Sequence, residues 1–152
     1  MSQQAKAETS GHAVELLTFH IGDVLCGLNI LNVQEIRKPA RMTTVPQAPD
    51  YVLGIFNLRG QIVTLIDLGK KLGLGETAVS DDQRAIIVNA ADGVVGLLVK
   101  KIGDVVEADM TKIELPPANM RGIHGEFFMG VCTTPSALIG ILDIDRVLST
   151  ED

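Results

Sequence analysis

Arg59, Glu35, three histidines and two cysteines are the residues whose types and spacing bear on chemistry in this chain. His12, His20 and His124 lie far apart, and Cys26 and Cys132 stand alone. Metal sites draw on closely spaced ligand pairs. The nearest approach to one is His20 with Cys26 across a hairpin, so no metal is expected. The patterns G-x-x-x-x-G-K-[ST], H-E-x-x-H and G-x-S-x-G are absent. Phosphate cradling, zinc hydrolysis and a nucleophile elbow therefore lack their usual signatures. GLGE, 73–76, follows a helical pattern instead of opening one, and reads as a loop. The expectation is a protein that is not an enzyme and carries no cofactor.

Two charged residues stand out. FNLRGQIVTLIDLGKKLG, 56–73, places Arg59 at the turn between two strand-like runs. It reads either as a structural ion pair or as a planar donor fork offered to a partner helix. VQEIRKP, 33–39, sets Glu35 between inward-looking Val33 and Ile36, with Arg37 following. Glu35 and Arg37 are either outward residues of an edge strand or charges on a docking edge that select a partner.

The elements that must position these residues are short strands. VELLTFHIGDVLCGLNI turns at Gly22-Asp23, and YVLGIFNLRGQIVTLIDL at Arg59-Gly60. QRAIIVNAADGVVGLLV turns at Asp92-Gly93, and FFMGVCTTPSALIGILDI near Pro135-Ser136. Two short helices are predicted. One covers Asp67 to Leu72, with Asp67 as N-cap and Gly73 as C-cap. The other runs from Asp143 to about Thr150, with Ile144, Val147 and Leu148 on one face. Residues 1–12 read as a disordered tail, and 13–150 as a single domain. Evenly spaced strands with Gly and Pro turns imply small barrels or a sandwich.

The chain also repeats. A shift of 76 lays Gly54 on Gly130, Ile62 on Leu138, Leu65 on Ile141, Asp67 on Asp143 and Leu72 on Leu148. A shift of 69 lays Gly27 on Gly96, and Ile30, Val33 and Ile36 on Val99, Ile102 and Val105. The expectation is two similar β-subdomains of about 70 residues sharing one apolar interface. Where the first half has NLRG the second has TTPS, so the hairpin itself does not require Arg59.

Composition narrows the partner. The 152 residues are 46% hydrophobic and 21% charged, which implies an ordered domain. A net charge of -6 disfavours nucleic acid and anionic membrane as partners. Aromatics are 3% and Trp is absent, leaving little for base stacking. No run approaches the ~20 apolar residues of a membrane span, and the polar start lacks a leader's apolar core. A cytoplasmic protein with buried free thiols is expected.

ILNVQEIRKP, then VPQAPDYVLGIFNLRGQIVTLIDLGKKLGL, and later VVGLLVKKIGDVVE resemble the chemotaxis coupling protein family, CheW, over 14–149. The resemblance implies an all-β fold of two packed, intertwined, SH3-like five-stranded barrels with short helices, one C-terminal. It implies an adaptor between the cytoplasmic tips of methyl-accepting chemoreceptors and the regulatory domain of a CheA-type histidine kinase, recruited to membrane-associated arrays where weak self-association is expected. By the same resemblance, Arg59, Asn57, Val33, Ala85, Gly96 and Ile102 face the receptor, and Glu35, Ile36, Lys38, Met42 and Thr43 face the kinase on a separate surface. Thr64, where many members carry Pro, and Gly69, where Arg is frequent, are departures that bear on partner choice. A chain of this length is not expected to be a kinase or to carry a receiver domain. The alternatives are a coupling protein of a pili or developmental pathway, and a β-barrel module that senses a small molecule in the inter-barrel groove.

Overall fold

The computed structural model of the chain describes residues 13–39, 41–91, 93–115, 119–120 and 123–148. The expected tail, Asp92 of the third turn and residues 149–150 lie outside them; the second helix, expected to run to about Thr150, ends at Val147 with Leu148 as its C-cap. In chain order the strands are β1 (Ala13–Ile21), β2 (Val24–Asn29), β3 (Val33–Arg37), β4 (Val52–Leu58) and β5 (Gln61–Asp67). Helix α1 (Leu68–Lys71) follows, then β6 (Arg84–Ala90), β7 (Gly93–Val99) and β8 (Lys101–Asp109). The short β9 (Asn119–Met120) and β10 (Ile123–His124) precede β11 (Phe128–Thr133), β12 (Leu138–Leu142) and α2 (Ile144–Val147). His124, expected in a loop, pairs with Asn119 in that short ladder.

Two five-stranded sheets result, ordered β11-β12-β2-β1-β8 and β3-β6-β7-β5-β4. The shifts of 76 and 69 map one order onto the other, and they map the register too. Val52↔Ile66 and Gly54↔Leu65 become Phe128↔Leu142 and Gly130↔Ile141. Val33↔Val88 and Ile36↔Ile86 become Ile102↔Phe19 and Val105↔Leu17. The parallel pair Leu65↔Gly96 becomes Ile141↔Gly27. The duplication read from the sequence is therefore present pair by pair.

The two subdomains interleave along the chain and are not its consecutive halves. The parallel pairs β5·β7 and β12·β2 splice strands of one half into the sheet of the other. The physical reason lies in the central strands. AIIV in β6 and VGLLV in β7 are continuous apolar runs, which suit strands covered on both faces. Ile86, Val88, Leu97 and Val99 face Phe19, Cys26 and Leu28 of the other sheet. Ala85, Ile87 and Leu98 face the opposite way, into a filling with Phe56, Leu58, Val63 and Leu65. Leu16, Ala108, Cys132, Ile139 and Ile141 form the matching filling of the first sheet. Each sheet thus wraps its own apolar interior, in keeping with an SH3-like barrel, and a third core joins the two.

Small residues let connecting segments close these barrels. A Cβ on Gly54 would stand 2.6 Å from the Thr43 carbonyl oxygen, and one on Gly130 would stand 2.0 Å from Ile113 Cγ2. Both glycines admit a segment that crosses the sheet edge, through the Thr43↔Ile55 and Glu114↔Val131 bridges. The departure at Gly69 has a similar cause, since a Cβ there would meet the Gly75 carbonyl oxygen at 2.5 Å. The 73–78 loop occupies that space because Asp67, buried at the α1 N-terminus, accepts from Thr77 N (3.0 Å) and Thr77 Oγ1 (2.6 Å) as well as from Lys70 N. Asp143 caps α2, accepting from Arg146 N, and its other oxygen stands 3.7 Å from Arg146 Nε. Both cysteines are buried and free, and burial pushes the Cys26 thiol up to about 12.

Candidate functional site

The tip of the β4–β5 hairpin is a two-residue turn in which Leu58 pairs with Gln61. Its central residues, Arg59 at φ 51° and Gly60 at φ 89°, are both left-handed. Such turns match the twist of the strands but favour Asn-Gly or Gly-Gly. An arginine there costs about 1–2 kcal/mol of backbone strain. The Asn57 side chain supports the turn by accepting from Gly60 N at 2.8 Å. The repeat partner of Arg59 is Pro135, whose ring holds φ negative. The fold therefore closes this hairpin elsewhere without a left-handed arginine.

Strand β3 meets that tip from the opposite edge of the same sheet. A bulge between Val33 and Glu35 shifts the phase of the strand. Val33 and Ile36 consequently share the face of Val88 and Ile86; Val33 packs against the shared core as its inward reading expected, whereas Ile36, expected inward, is exposed. Glu35 and Arg37 lie on the other face, opposite Ile87 and Ala85. They are half-buried over that sheet's own filling instead of pointing outward into solvent.

Here the two edges are tied together. The Glu35 carboxylate accepts from Arg59 Nη2 through Oε1, and Arg37 Nη1 stands 3.5 Å from Oε2. The Arg37 guanidinium sits over the Phe56 ring of β4, 5.8 Å from its centre. The hydrogen bond from Arg59 is the largest influence on Glu35 and holds its carboxyl below the usual carboxylate range, with Arg37 adding to the pull. The Arg59 side chain is 65% exposed, while that of Glu35 is 27% exposed.

Of the residues expected to face a receptor, Val33 and Ile102 are repeat mates packed at the margin of the shared core. Asn57 and Arg59 share the hairpin tip. Ala85 and Gly96 lie in the interior of the sheet's filling. Ala85 is 1% exposed among Phe56 and Leu58, and the bare face of Gly96 is filled by Leu65 and Ile87. Among those expected to face a kinase, Lys38 and Thr43 are exposed, Ile36 is 41% exposed, and Met42 packs into the filling of the β3–β7 sheet. Glu35, expected on a separate surface, is bonded to Arg59. Phe56 and the pairing role of Arg37 were missed. Two-residue alternation between Glu35 and Arg37 was the available signal.

Elsewhere, a cleft of about 310 Å³ is lined by Asn32, Asn89, Ala90, Met129, Asp143 and Asp145. A smaller one of about 100 Å³ lies between Gly22, Gly69, Thr77 and Lys100. Among the described residues no cluster of three His, Cys, Asp or Glu side chains is placed to hold a metal. No helix among them is long and apolar enough to cross a membrane.

Comparison with known proteins gives a consistent pattern. The CheW-like domain profile matches residues 15–152. The chemotaxis protein CheW of Treponema pallidum is 34% identical over 142 residues, covering 91% of this chain and 84% of that protein. That of Helicobacter pylori is 31% identical over 150 residues, covering 99% and 90%. The crystal structure of the scaffolding protein TtCheW from Thermoanaerobacter tengcongensis superposes with a TM-score of 0.83 at 33% identity, covering 91% of this chain and 89% of that one.

Proposed function

Because this chain belongs to the CheW-like domain family, and so to a family of chemotaxis scaffolds, we propose that it couples the cytoplasmic tips of chemoreceptors to the regulatory domain of a CheA-type histidine kinase. It does so by binding both, without turnover, as one folded unit over 13–150. The observation that carries this reading is Arg59. Its side chain is exposed on a left-handed turn, although the repeat closes the same hairpin with proline. Strain kept where the fold does not need it marks a binding position.

The receptor tip is an α-helical hairpin in this reading. Its apolar face lies along Val33 and Ile102, and its polar rim meets Asn57 and Arg59. Ala85 and Gly96 set the contour under that surface. The kinase domain takes Ile36, Lys38, Met42 and Thr43, with Glu35 between the two sites. Binding is cytoplasmic, beneath a membrane in which the receptors are anchored.

The test is a titration of a receptor-tip fragment and a kinase regulatory domain against wild type and Arg59→Ala. Loss of receptor binding with kinase binding and melting temperature retained is the expected result. A drop of several degrees in melting temperature with both partners weakened alike would make Arg59 a structural tie and move the receptor site elsewhere.

A further inference from the structure

Glu35 serves two arginines with one carboxylate. Oε1 accepts from Arg59, while the 3.5 Å approach of Arg37 Nη1 to Oε2 is too long for a strong hydrogen bond. Arg37 lies over the Phe56 ring, and its Nε is buried with no hydrogen-bond partner in the protein. Arg59 is the exposed member, and it bonds Glu35 through Nη2. Two guanidinium groups against one carboxylate leave this cluster with one positive charge in excess, in a chain whose net charge is -6. The exposed Lys38 follows directly on β3. Locally, the cluster is one anion short.

We infer that Glu35 is a place-holder for a carboxylate of the partner helix: an Asp or Glu of the partner takes Arg59, and Glu35 turns fully onto Arg37. This rests on the adaptor reading and names the chemistry that Arg59 recognises. The exchange ends with two carboxylates on two arginines, so no charge in the cluster is left unpaired. A neutral partner group cannot compete with a carboxylate already bonded to Arg59, and Glu35 thereby rejects partners that lack the acid. Glu35 stands next to Ile36, so the occupant of Arg59 alters the edge strand expected to hold the kinase. Two sites that share a movable residue are coupled, and the coupling acts in both directions.

The deciding experiment uses the full chain, wild type and Glu35→Gln. The probes are a chemoreceptor-tip fragment and the same fragment with its tip Asp and Glu changed to Asn and Gln. Glu35→Gln removes the competing charge while keeping shape. Binding of the acidic fragment should tighten about threefold, the scale of an exposed ion pair, while the neutralised fragment stays weak with both proteins. Equal weakening of both fragments by Glu35→Gln would make Glu35 a positioning residue and overturn the exchange. An unchanged affinity for the acidic fragment would overturn it as well. Failure of the adaptor reading would look different: neither fragment would bind any form of the protein. A glutamate-rich peptide then replaces the fragment, and the same comparison of Glu35→Gln with wild type decides the exchange. Melting temperatures of both forms establish that the fold is intact.

Discussion

Glu35 and Arg59 occupy opposite edges of one five-stranded sheet, and their side chains bond across the gap between those edges. The first sheet lacks such a pair, since Asp104 and Pro135 stand at the equivalent positions. The pair is thus an addition to the duplicated architecture rather than part of it.

Arg59→Gly separates strain from pairing. Glycine accepts the left-handed turn without cost, while the exposed ion pair is lost. The relief of turn strain and the loss of the pair oppose one another, so the melting temperature should stay within about 3 °C of wild type. Receptor-tip binding should vanish. Thermal melts and the titration described above check both halves.

The Glu35 carboxyl is held below its ordinary value of 4.5 chiefly by the hydrogen bond from Arg59. A group whose folded-state pKa is lowered contributes stability above the unfolded value and loses it as pH falls through the folded one. The pair is accordingly intact at neutral pH and loosens only in acid below pH 4.5. Carbon NMR of the side-chain carboxyl should show Glu35 titrating late in wild type. In Arg59→Ala the midpoint should move up toward the ordinary value.

Gly54→Ala should destabilise the protein by about 1–3 kcal/mol, as overpacking does. The new methyl group meets the Thr43 carbonyl, which belongs to the backbone and cannot rotate away. Gly130→Ala meets Cγ2 of the β-branched Ile113, which is stiff at χ1, and then the Glu114 carbonyl oxygen at 3.0 Å, so it should destabilise the protein as well. Urea denaturation of the two variants measures both costs.

Asp67 and Asp143 are repeat mates with unequal roles. Asp67→Ala strands the half-buried donors of Thr77 and should cost about 1–3 kcal/mol. Asp143→Ala removes a helix cap and should cost about 1 kcal/mol. Hydrogen exchange should show the 73–78 loop opening in the first variant alone.

Much of this was legible in the residues. Three of the hairpin turns, both Asp N-caps and the two shifts of the repeat followed from local chemistry, because turns and caps are decided within a few residues. The third turn falls one residue earlier than expected, since Gly93, already in β7, pairs with Ala90. The partition of strands between sheets was not. Alternation tells which face of a strand is apolar, and says nothing of which distant strand lies beside it. The parallel pairs β5·β7 and β12·β2 are such distant choices. At the candidate site, Glu35 and Arg59 were each recognisable as charges without an obvious structural duty. Their contact was hidden because it forms between opposite edges of a sheet, 24 residues apart in sequence. The burial of Ala85 and Gly96 was hidden too, since β6 and β7 are apolar on both faces and pattern alone does not separate interior from groove.

The splicing of the two sheets also bears on synthesis. The ribosome delivers this chain from its N-terminus. The β3–β7 sheet has all its strands once Val99 has emerged, and it can close while translation continues. The sheet begun earliest, by β1 and β2, waits longest. Its parallel neighbour β12 ends at Leu142 and is the last strand among the described residues. For most of translation the nascent chain carries Leu16 and its neighbours on an uncovered face, the kind of surface that invites chaperones and misassembly. The first strands produced are therefore among the last to be sealed, and a ribosome that stalls before Leu138 releases one finished barrel with an open one beside it.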